Sequence, residues 1–402
     1  MRVVLLGEYR AERLIAPLRA AGAEVVVLGG PDLGPWFGDD VRVGRLPAEP
    51  TDDALAALLR HWSPDLAVPN VRSPGQEQHL PVYSRLRGPG LPVHPPVFAD
   101  LATDKVAFHR TAVERGWPVP RGVVCETPAD LLATPLRLPT VVKEARSESY
   151  AGRHFVTDRH DLAVLSAHLR YPVLAQEAVT GEEYAVELLT TPDGTTTWPV
   201  ASLGALDPDC APGGRVRASP VDFPAEDALA ALVADVVAFG RPHGPWQLDL
   251  AVTGDGSLVV FELNARFGGV SNLSWLATGA DPHAVHVDAV LGRPLPTPEA
   301  HRAAVELPVP NGVVLPPPPP GAELHAFVAG PTNPTPDLTG FYRAVVAVDP
   351  DHADEVRRWI AGLPLDLTTP TAVLAGLDRG LRALRPRPPT SPGEPVRQDP
   401  GA

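Results

Sequence analysis

The sequence predicts a mixed α/β and α+β protein: a parallel α/β domain at the N-terminus, a larger central α+β domain and a small C-terminal α+β unit. Through about the first hundred residues, short apolar runs alternate with segments of helical spacing, which is typical of a parallel sheet covered by helices. The alternation then changes, and a run of five prolines precedes the last group of strands. The predicted domains are 1–98, 99–299 and 300–376, followed by a tail over 377–402.

The N-terminal domain is predicted from three strands and two helices. Residues 2–6, 24–28 and 65–69 are apolar runs of strand length, and residues 11–21 and 53–59 have helical spacing. Gly7 follows the first strand without the Gly-x-Gly-x-x-Gly spacing of a dinucleotide site, so we interpret it as a tight turn.

The central and C-terminal patterns predict further elements in chain order. A Thr-Gly-Asp-Gly segment at 253–256 indicates a hairpin, because glycine accepts the positive φ of a tight turn. The tail from 377 is rich in Pro and Arg and poor in bulky apolar residues, which predicts disorder. The predicted helices are 102–116, 162–169, 226–239 and 352–363, and the predicted strands are 140–143, 154–157, 173–179, 183–190, 246–253, 257–263, 323–330 and 341–348.

Composition excludes several classes of function. A net charge of −14 argues against nucleic acid as the main partner, since phosphate backbones need a cationic face. Two cysteines are too few for a disulfide scaffold or a zinc site. No apolar stretch reaches the roughly 18 residues of a membrane helix, and the N-terminus does not have the pattern of a signal peptide. We therefore expect a cytoplasmic protein that does not bind membranes.

Lysine is almost absent from the chain. Of 34 basic residues only Lys105 and Lys143 are lysines, so arginine supplies nearly every surface cation. An ammonium is a compact point charge that fits against phosphate oxygens, whereas a guanidinium is a wide planar fork. The two lysines are either retained by chance or retained because their sites require an ammonium.

The predicted hairpin carries the clearest set of polar residues. Residues two apart on a strand share a face, so Glu262, Asn264 and Arg266 are expected on one side, with Phe261 and Leu263 in the core. The turn brings Asp249 opposite them. Carboxylate and amide oxygens of this kind hold Mg²⁺, and a nearby arginine neutralises a phosphoryl group. The alternative is a solvent-facing polar side of the hairpin that ends in a Glu–Arg ion pair.

Two other segments are suited to a nucleotide. Lys143 ends an apolar strand and precedes a polar loop, in which Ser147 and Ser149 offer hydroxyls to a phosphate chain. The strand at 173–179 ends in backbone groups suited to an adenine edge, and Glu183 is a candidate for ribose hydroxyls.

Taken together and in order, these motifs resemble the ATP-grasp superfamily over residues 103–266. The first hundred residues resemble the biotin-carboxylase-like domain that precedes such a unit. The resemblance implies a central fold of two α+β subdomains that hold ATP between them. The matching motifs are Asp104-Lys105, Pro139-Thr140-Val141-Val142-Lys143, Gln176-Glu177-Ala178-Val179-Thr180-Gly181-Glu182-Glu183, and Asp249 with Glu262-Leu263-Asn264-Ala265-Arg266.

The resemblance also implies a role for each matching residue. Phosphates of ATP would be met by Lys105, Lys143 and Ser149, the adenine by Glu177, Ala178 and Val179, and the ribose by Glu183. Asp249, Glu262 and Asn264 would bind Mg²⁺, with Mn²⁺ as a substitute, and Arg266 would act with Lys143 in catalysis by stabilising the transferred group. The loop at 144–153 has less glycine than is usual in this superfamily.

Substrate residues are predicted only as candidates. Arg215 and Arg217 alternate in a segment that is suited to a substrate carboxylate, although a solvated surface loop is the alternative. Gly268 and Gly269 follow Arg266 and are expected to open a helix whose N-terminal amides face an anion.

The function implied is an ADP-forming carboxylate–amine ligase that works through an acyl phosphate on small, amino-acid-like carboxylate and amine substrates. One alternative is an ATP-dependent carboxylase that uses bicarbonate. Another is a non-catalytic nucleotide-binding subunit, which the complete set of metal ligands argues against. A homodimer is the assembly to consider.

Overall fold

The fold is described from a computed structural model. It describes all residues except 31–32, 34–35, 38–40, 48, 72–75, 89, 148–151, 207–214, 331–332, 334–339, 366–368 and 386–402. Within the described part of the chain, no helix combines the length and the apolar character needed to span a bilayer.

The N-terminal part is a four-stranded parallel sheet in the order β3-β2-β1-β4. Its strands are β1 (Arg2–Leu6), β2 (Glu24–Gly29), β3 (Arg42–Arg45) and β4 (Leu66–Pro69), and its helices are α1 (Glu12–Ala20), α2 (Asp52–Trp62) and α3 (Leu80–Arg85). Val3 to Leu6 are completely buried, so β1 has the continuous apolar sequence that is typical of a central parallel strand. The parallel N-terminal sheet is therefore confirmed, and β3 was not predicted because its sequence is mostly polar.

A second sheet of four antiparallel strands follows, in the order β5-β8-β6-β7. Its strands are β5 (Gly122–Cys125), β6 (Thr140–Glu144), β7 (Arg153–Val156) and β8 (Val173–Glu177), and the helices of this part are α4 (Pro96–Thr103), α5 (Lys105–Arg115), α6 (Pro128–Ala133) and α7 (Arg159–Ser166). Its core packs Leu131 and Leu162 of the two short helices against Val142 and Val173.

The largest sheet has nine strands in the order β14-β13-β9-β11-β12-β15-β17-β16, with β10 paired to β9. Its strands are β9 (Glu182–Thr191), β10 (Gly194–Thr197), β11 (Ala201–Ala205), β12 (Arg217–Ser219), β13 (Gly244–Val252), β14 (Leu258–Asn264), β15 (Ala303–Pro310), β16 (Ala322–Phe327) and β17 (Phe341–Val348). The helices of this region are α8 (Glu226–Gly240), α9 (Ser271–Thr278), α10 (Pro282–Val290), α11 (Ala353–Ala361) and α12 (Thr369–Ala383).

The C-terminal strands belong to this same sheet and do not form the separate unit that was predicted to begin at residue 300. Strand β15 pairs with β12 on one side and with β17 on the other. Seven of its eight residues are buried, so it has neighbours on both edges and both faces. The boundary was mispredicted because β12 is only three residues long and has no periodicity to read.

The predicted tail over 377–402 is also wrong in its first part. Helix α12 continues to Ala383, and Val373, Leu377 and Leu381 are buried along one face at a spacing of four residues. Gly376 lies so close to β15 that a Cβ there would be 3.1 Å from Val305, which shows how tightly the helix packs. Residues 386–402 lie outside the described part of the chain.

Candidate active site

The hairpin of β13 and β14 places the predicted polar residues together. Asp249 pairs with Glu262 and Gln247 pairs with Asn264 across the two strands. The register shifts after Asp249, because Leu250 pairs with Val260, so Phe261 is a bulged residue. The prediction that Phe261 lies in the core is therefore wrong: it is half-buried and lines a cleft beside Glu262.

Asp249 lies at the centre of this group. Its two carboxylate oxygens accept hydrogen bonds from Gln247 Nε2 at 2.7 Å and from Asn264 Nδ2 at 2.9 Å. Burial, together with the nearby charges of Glu262 and Glu183, raises the pKa of Asp249 to about 7. A buried carboxylate crowded by two others is a place where a cation would restore the charge balance.

Lys105 is positioned by the end of one helix and the start of the next. The single predicted helix over 102–116 is broken at Asp104, whose carboxylate accepts from the Val106 and Ala107 amides and so caps α5. Lys105 is thus the first residue of α5. Its Nζ donates to the Ser147 carbonyl at 2.6 Å and lies 3.2 Å from Glu262 Oε1.

Glu262 shows why the polar face of the hairpin is not an ordinary solvent-facing side. Burial alone would raise the pKa of Glu262, but the charges of Lys105 and Lys143, together with the hydrogen bond from Lys105 and the charge of Arg153, outweigh burial and lower it. Lys143 is only 6% exposed, and its ammonium lies 5.8 Å from the centroid of the Phe261 ring. Both lysines of the chain therefore converge on one carboxylate of the hairpin.

A cavity of about 220 Å³ lies between the second sheet and the hairpin. Glu177, Ala178, Val179 and Glu183 line it, as the sequence predicted, together with apolar side chains that were not singled out. The Ala178 amide already donates to the Pro139 carbonyl at 3.1 Å, so it is not available to an adenine edge. Apart from Ala178 and Val179, the apolar lining consists of Pro120, Pro139, Val141, Phe155, Leu206 and Phe261.

A second cavity of about 190 Å³ adjoins the first and is more polar. The two share Arg153, Glu183, Asp249 and Glu262 as a common wall. The residues that line only the second cavity are Glu77, Ala185, Leu203, Arg217, Gln247, Asn264, Arg266, Gly269 and Val270. Arg153 was missed, although it pairs with Lys143 across β6 and β7.

Arg266 does not end the hairpin in an ion pair with Glu262. Its guanidinium instead donates from Nε to Glu77 Oε1 at 2.6 Å, and Glu77 belongs to the N-terminal part of the chain. Local spacing carried no signal for Glu77, because it is 189 residues away from Arg266.

The candidate substrate residues have different surroundings. The Gly268 amide donates to Glu187 Oε1 at 3.0 Å, so its N–H faces an internal carboxylate and not a bound anion, contrary to the prediction. A Cβ at Gly268 would come within 1.7 Å of Gln247 Oε1, so any larger residue there would have to displace the Gln247 side chain. Arg217 and Gly269 line the second cavity, whereas Arg215 forms an ion pair with Glu183.

Ser149 and the metal ligands are the remaining predicted site residues. Ser149 lies outside the described residues. Among the described residues, no group of three or more His, Cys, Asp or Glu side chains forms a metal cluster. Any metal here would therefore rest on two carboxylates and the amide of Asn264, with its other ligands from phosphate and water.

No protein-family model and no curated protein matches the sequence. Solved structures do match nearly its whole length. The N5-carboxyaminoimidazole ribonucleotide synthetase of Thermotoga maritima superposes with a TM-score of 0.67 at 16% identity, covering 95% of this chain and 97% of that one. The L-amino acid ligase of Bacillus licheniformis gives 0.67 at 18% identity, covering 90% and 97%. A biotin carboxylase–ATP complex from Campylobacter jejuni gives 0.70 at 12% identity, covering 94% and 95%. The predicted ATP-grasp fold is confirmed.

Proposed function

We propose that this chain, which has the ATP-grasp fold, is an ADP-forming carboxylate–amine ligase acting on small amino-acid-like substrates. One observation carries the proposal. Two cavities of about 220 and 190 Å³ share a wall formed by Arg153, Glu183, Asp249 and Glu262. The first suits a nucleotide, the second suits a small acid, and the shared wall is where a phosphoryl group would pass between them.

The first cavity has the features that ATP requires. Apolar side chains such as Val141 and Phe155 line it and are suited to an adenine ring, and Glu183 is among its polar lining residues. Lys143 lines the same cavity, and Lys105 forms an ion pair with Glu262, which also lines it. Ammonium groups at this end are suited to a phosphate chain.

The oxygen donors at the shared wall, with Asn264 beside it, fit Mg²⁺. The raised pKa of Asp249, at about 7, reflects burial and negative charge that the side chains around it do not offset. Asp249, Glu262 and Asn264 would hold the ion, and when bound it would supply charge neutralisation for the transferred phosphoryl group.

Catalysis by the chain itself is positioning and charge shielding. In the proposed reaction a substrate carboxylate oxygen attacks the γ-phosphorus in line, and ADP leaves. An amine then adds to the acyl phosphate and phosphate departs with the bridging oxygen. Arg266, held by Glu77, faces the second cavity, where it would shield the acyl phosphate, and Lys143 would shield the phosphates from the other side.

The second cavity limits the substrate class. Its volume of about 190 Å³ suits a molecule the size of a small amino acid. Arg217 and Arg266 offer cations for a carboxylate, while Ala185, Leu203 and Val270 offer an apolar side. This combination, and the likeness of fold to an L-amino acid ligase, supports amino-acid-like substrates.

A phosphate-release assay with ATP and Mg²⁺ tests the proposal. A panel of single L-amino acids and pairs of them should include one that stimulates phosphate release. Hydroxylamine in place of the amine should trap a hydroxamate, and an oxygen label in the acid should appear in phosphate. Products of AMP and pyrophosphate would contradict the mechanism. The variant Glu262→Gln should lose the activity while its melting temperature stays close to that of the wild type.

A bicarbonate-dependent carboxylase is the second candidate. The likeness of fold to a biotin carboxylase and to a carboxyaminoimidazole ribonucleotide synthetase favours it, and bicarbonate fits the second cavity. Bicarbonate in the same assay distinguishes the carboxylase from the carboxylate–amine ligase, since stimulation of phosphate release by bicarbonate alone would favour the carboxylase. Absence of turnover with every acid would favour a non-catalytic nucleotide-binding subunit.

A further inference from the structure

The second cavity is bordered by a group of three charged residues, one buried and two partly exposed, one on each of three neighbouring strands. Glu306 of β15 pairs with Arg217 of β12, and its Oε2 lies 3.4 Å from Arg217 Nε. The same oxygen lies 3.9 Å from Nη1 of Arg343 on β17. Of the three, Arg217 is the one that lines the cavity.

Burial makes this arrangement demanding. The Glu306 side chain is only 1% exposed, while those of Arg217 and Arg343 are 19% and 16% exposed. A carboxylate so deep in the protein is tolerated only beside compensating charge. Two guanidiniums and one carboxylate leave one net positive charge, and Arg217 carries that charge to the cavity wall.

Arg343 also restrains the strand that carries Arg217. Its Nη1 donates to the Arg215 carbonyl at 2.8 Å, two residues before Arg217. Arg217 Nη1 in turn lies 3.5 Å from the Gly269 carbonyl at the rim of the cavity. The guanidinium is thus oriented from behind by the carboxylate and at its tip by the backbone.

We infer that Glu306 is a positioning residue that, with Arg343, holds Arg217 as the carboxylate-recognition group of the second cavity. The inference rests on the proposed function for its meaning, since that cavity is the proposed acid site. It assigns a role in substrate binding to the C-terminal strands.

Three of the four carboxylates that line the cavity are paired with cations other than Arg217, and the fourth, Asp249, accepts hydrogen bonds from Gln247 and Asn264. Glu77 is paired with Arg266, Glu183 with Arg215 and Glu262 with Lys105. The carboxylate that pairs with Arg217 is Glu306, which lies on the neighbouring strand β15 and does not line the cavity.

The test measures binding of acetate, the simplest carboxylate probe, to the full chain with MgADP present, by saturation-transfer NMR. Acetate should bind the wild type, and both Arg217→Ala and Glu306→Gln should weaken binding by about tenfold. The double variant should bind no more weakly than Arg217→Ala, because Glu306 acts through Arg217. Glu323→Gln, which alters an exposed carboxylate paired with Arg302 at 2.6 Å, is the matched control and should bind normally.

Three results would overturn the inference: no acetate binding to the wild type, unchanged binding in either single variant, or tighter binding in Glu306→Gln. The last would mean that Glu306 only offsets charge. Should Glu306→Gln fold poorly by thermal melting, Glu306→Asp and Arg343→Lys make the same test with the charges kept. Because acetate binding needs no turnover, its outcome is independent of whether the ligase assay succeeds.

Discussion

Arg266 at the end of the hairpin and Glu77 of the N-terminal part are joined by a hydrogen bond of 2.6 Å from Nε to Oε1. The Arg266 side chain is 20% exposed and that of Glu77 is 16% exposed, so the pair is largely shielded from water. The guanidinium of Arg266 can be largely buried because the carboxylate of Glu77 compensates for its positive charge. The position of the proposed catalytic arginine therefore depends on a residue outside the central fold.

Replacing Glu77 with Gln should lower kcat by about tenfold with a smaller effect on the KM for ATP, because Arg266 loses the charged partner that orients it. Steady-state kinetics with the stimulating acid measure both constants. The control is Glu126→Gln, which removes the carboxylate of an exposed pair with Arg110 at 2.6 Å and should leave the rate unchanged. A normal kcat in Glu77→Gln would show that Arg266 needs no such support.

Replacing Lys143 with Arg should nearly abolish ATP turnover while the melting temperature changes little. Lys143 is 6% exposed and its ammonium lies 5.8 Å from the centroid of the Phe261 ring, and a wide planar guanidinium would not place its charge where a compact ammonium does. Phosphate release and thermal melting are the two measurements. The exposed Arg110→Lys is the control for a basic exchange. Near-normal turnover in purified Lys143→Arg would contradict a phosphate-binding role for this residue.

Much of this site was predictable because its residues are close in the chain and obey simple periodicities. The turn at 253–256 and the two-residue repeat of strands were enough to place Asp249 opposite Glu262. The position of Phe261 was mispredicted because a bulge moves one residue out of that repeat. The roles of Glu77 and Glu306 were not predicted for another reason. Glu77 contacts Arg266 and Glu306 contacts Arg217, so each contact joins segments that are far apart in the sequence. Neither segment alone shows a pattern that indicates the contact.

The difference between local patterns and long-range contacts also explains why disorder was wrongly predicted from residue 377, and it gives a prediction. Residues 377–385 were judged by their composition, yet their leucines pack on β12 and β15. Leu377→Ala should lower the free energy of unfolding by about 2–5 kcal/mol, since Leu377 is completely buried. Urea denaturation measures the loss. Deleting 386–402 is the comparison and should change neither stability nor activity, because that segment is poor in apolar residues. Equal stability of Leu377→Ala and the wild type would contradict the packing of α12.

Buried histidines should make the protein less stable in mild acid. Burial lowers the pKa of His94 to about 3, of His283 to about 3 and of His286 to about 4, against an ordinary value of 6.5. The unfolded chain therefore binds protons below about pH 6.5 that the native state refuses, and stability falls as the pH falls from there toward 4. Each histidine should account for about 2 kcal/mol between pH 7 and pH 5.

Urea denaturation at pH 7, 6 and 5 measures this loss, and His286→Gln should flatten the dependence by removing one of the titrating groups. The decrease in the free energy of unfolding of His286→Gln between pH 7 and pH 5 is compared with the decrease in the wild type. Any constant effect of the substitution on stability then cancels. The exposed His352→Gln is the matched control and should follow the wild-type curve, because His352 lies at the surface. A pH dependence that is the same in His286→Gln and the wild type would mean that His286 is charged in the native protein.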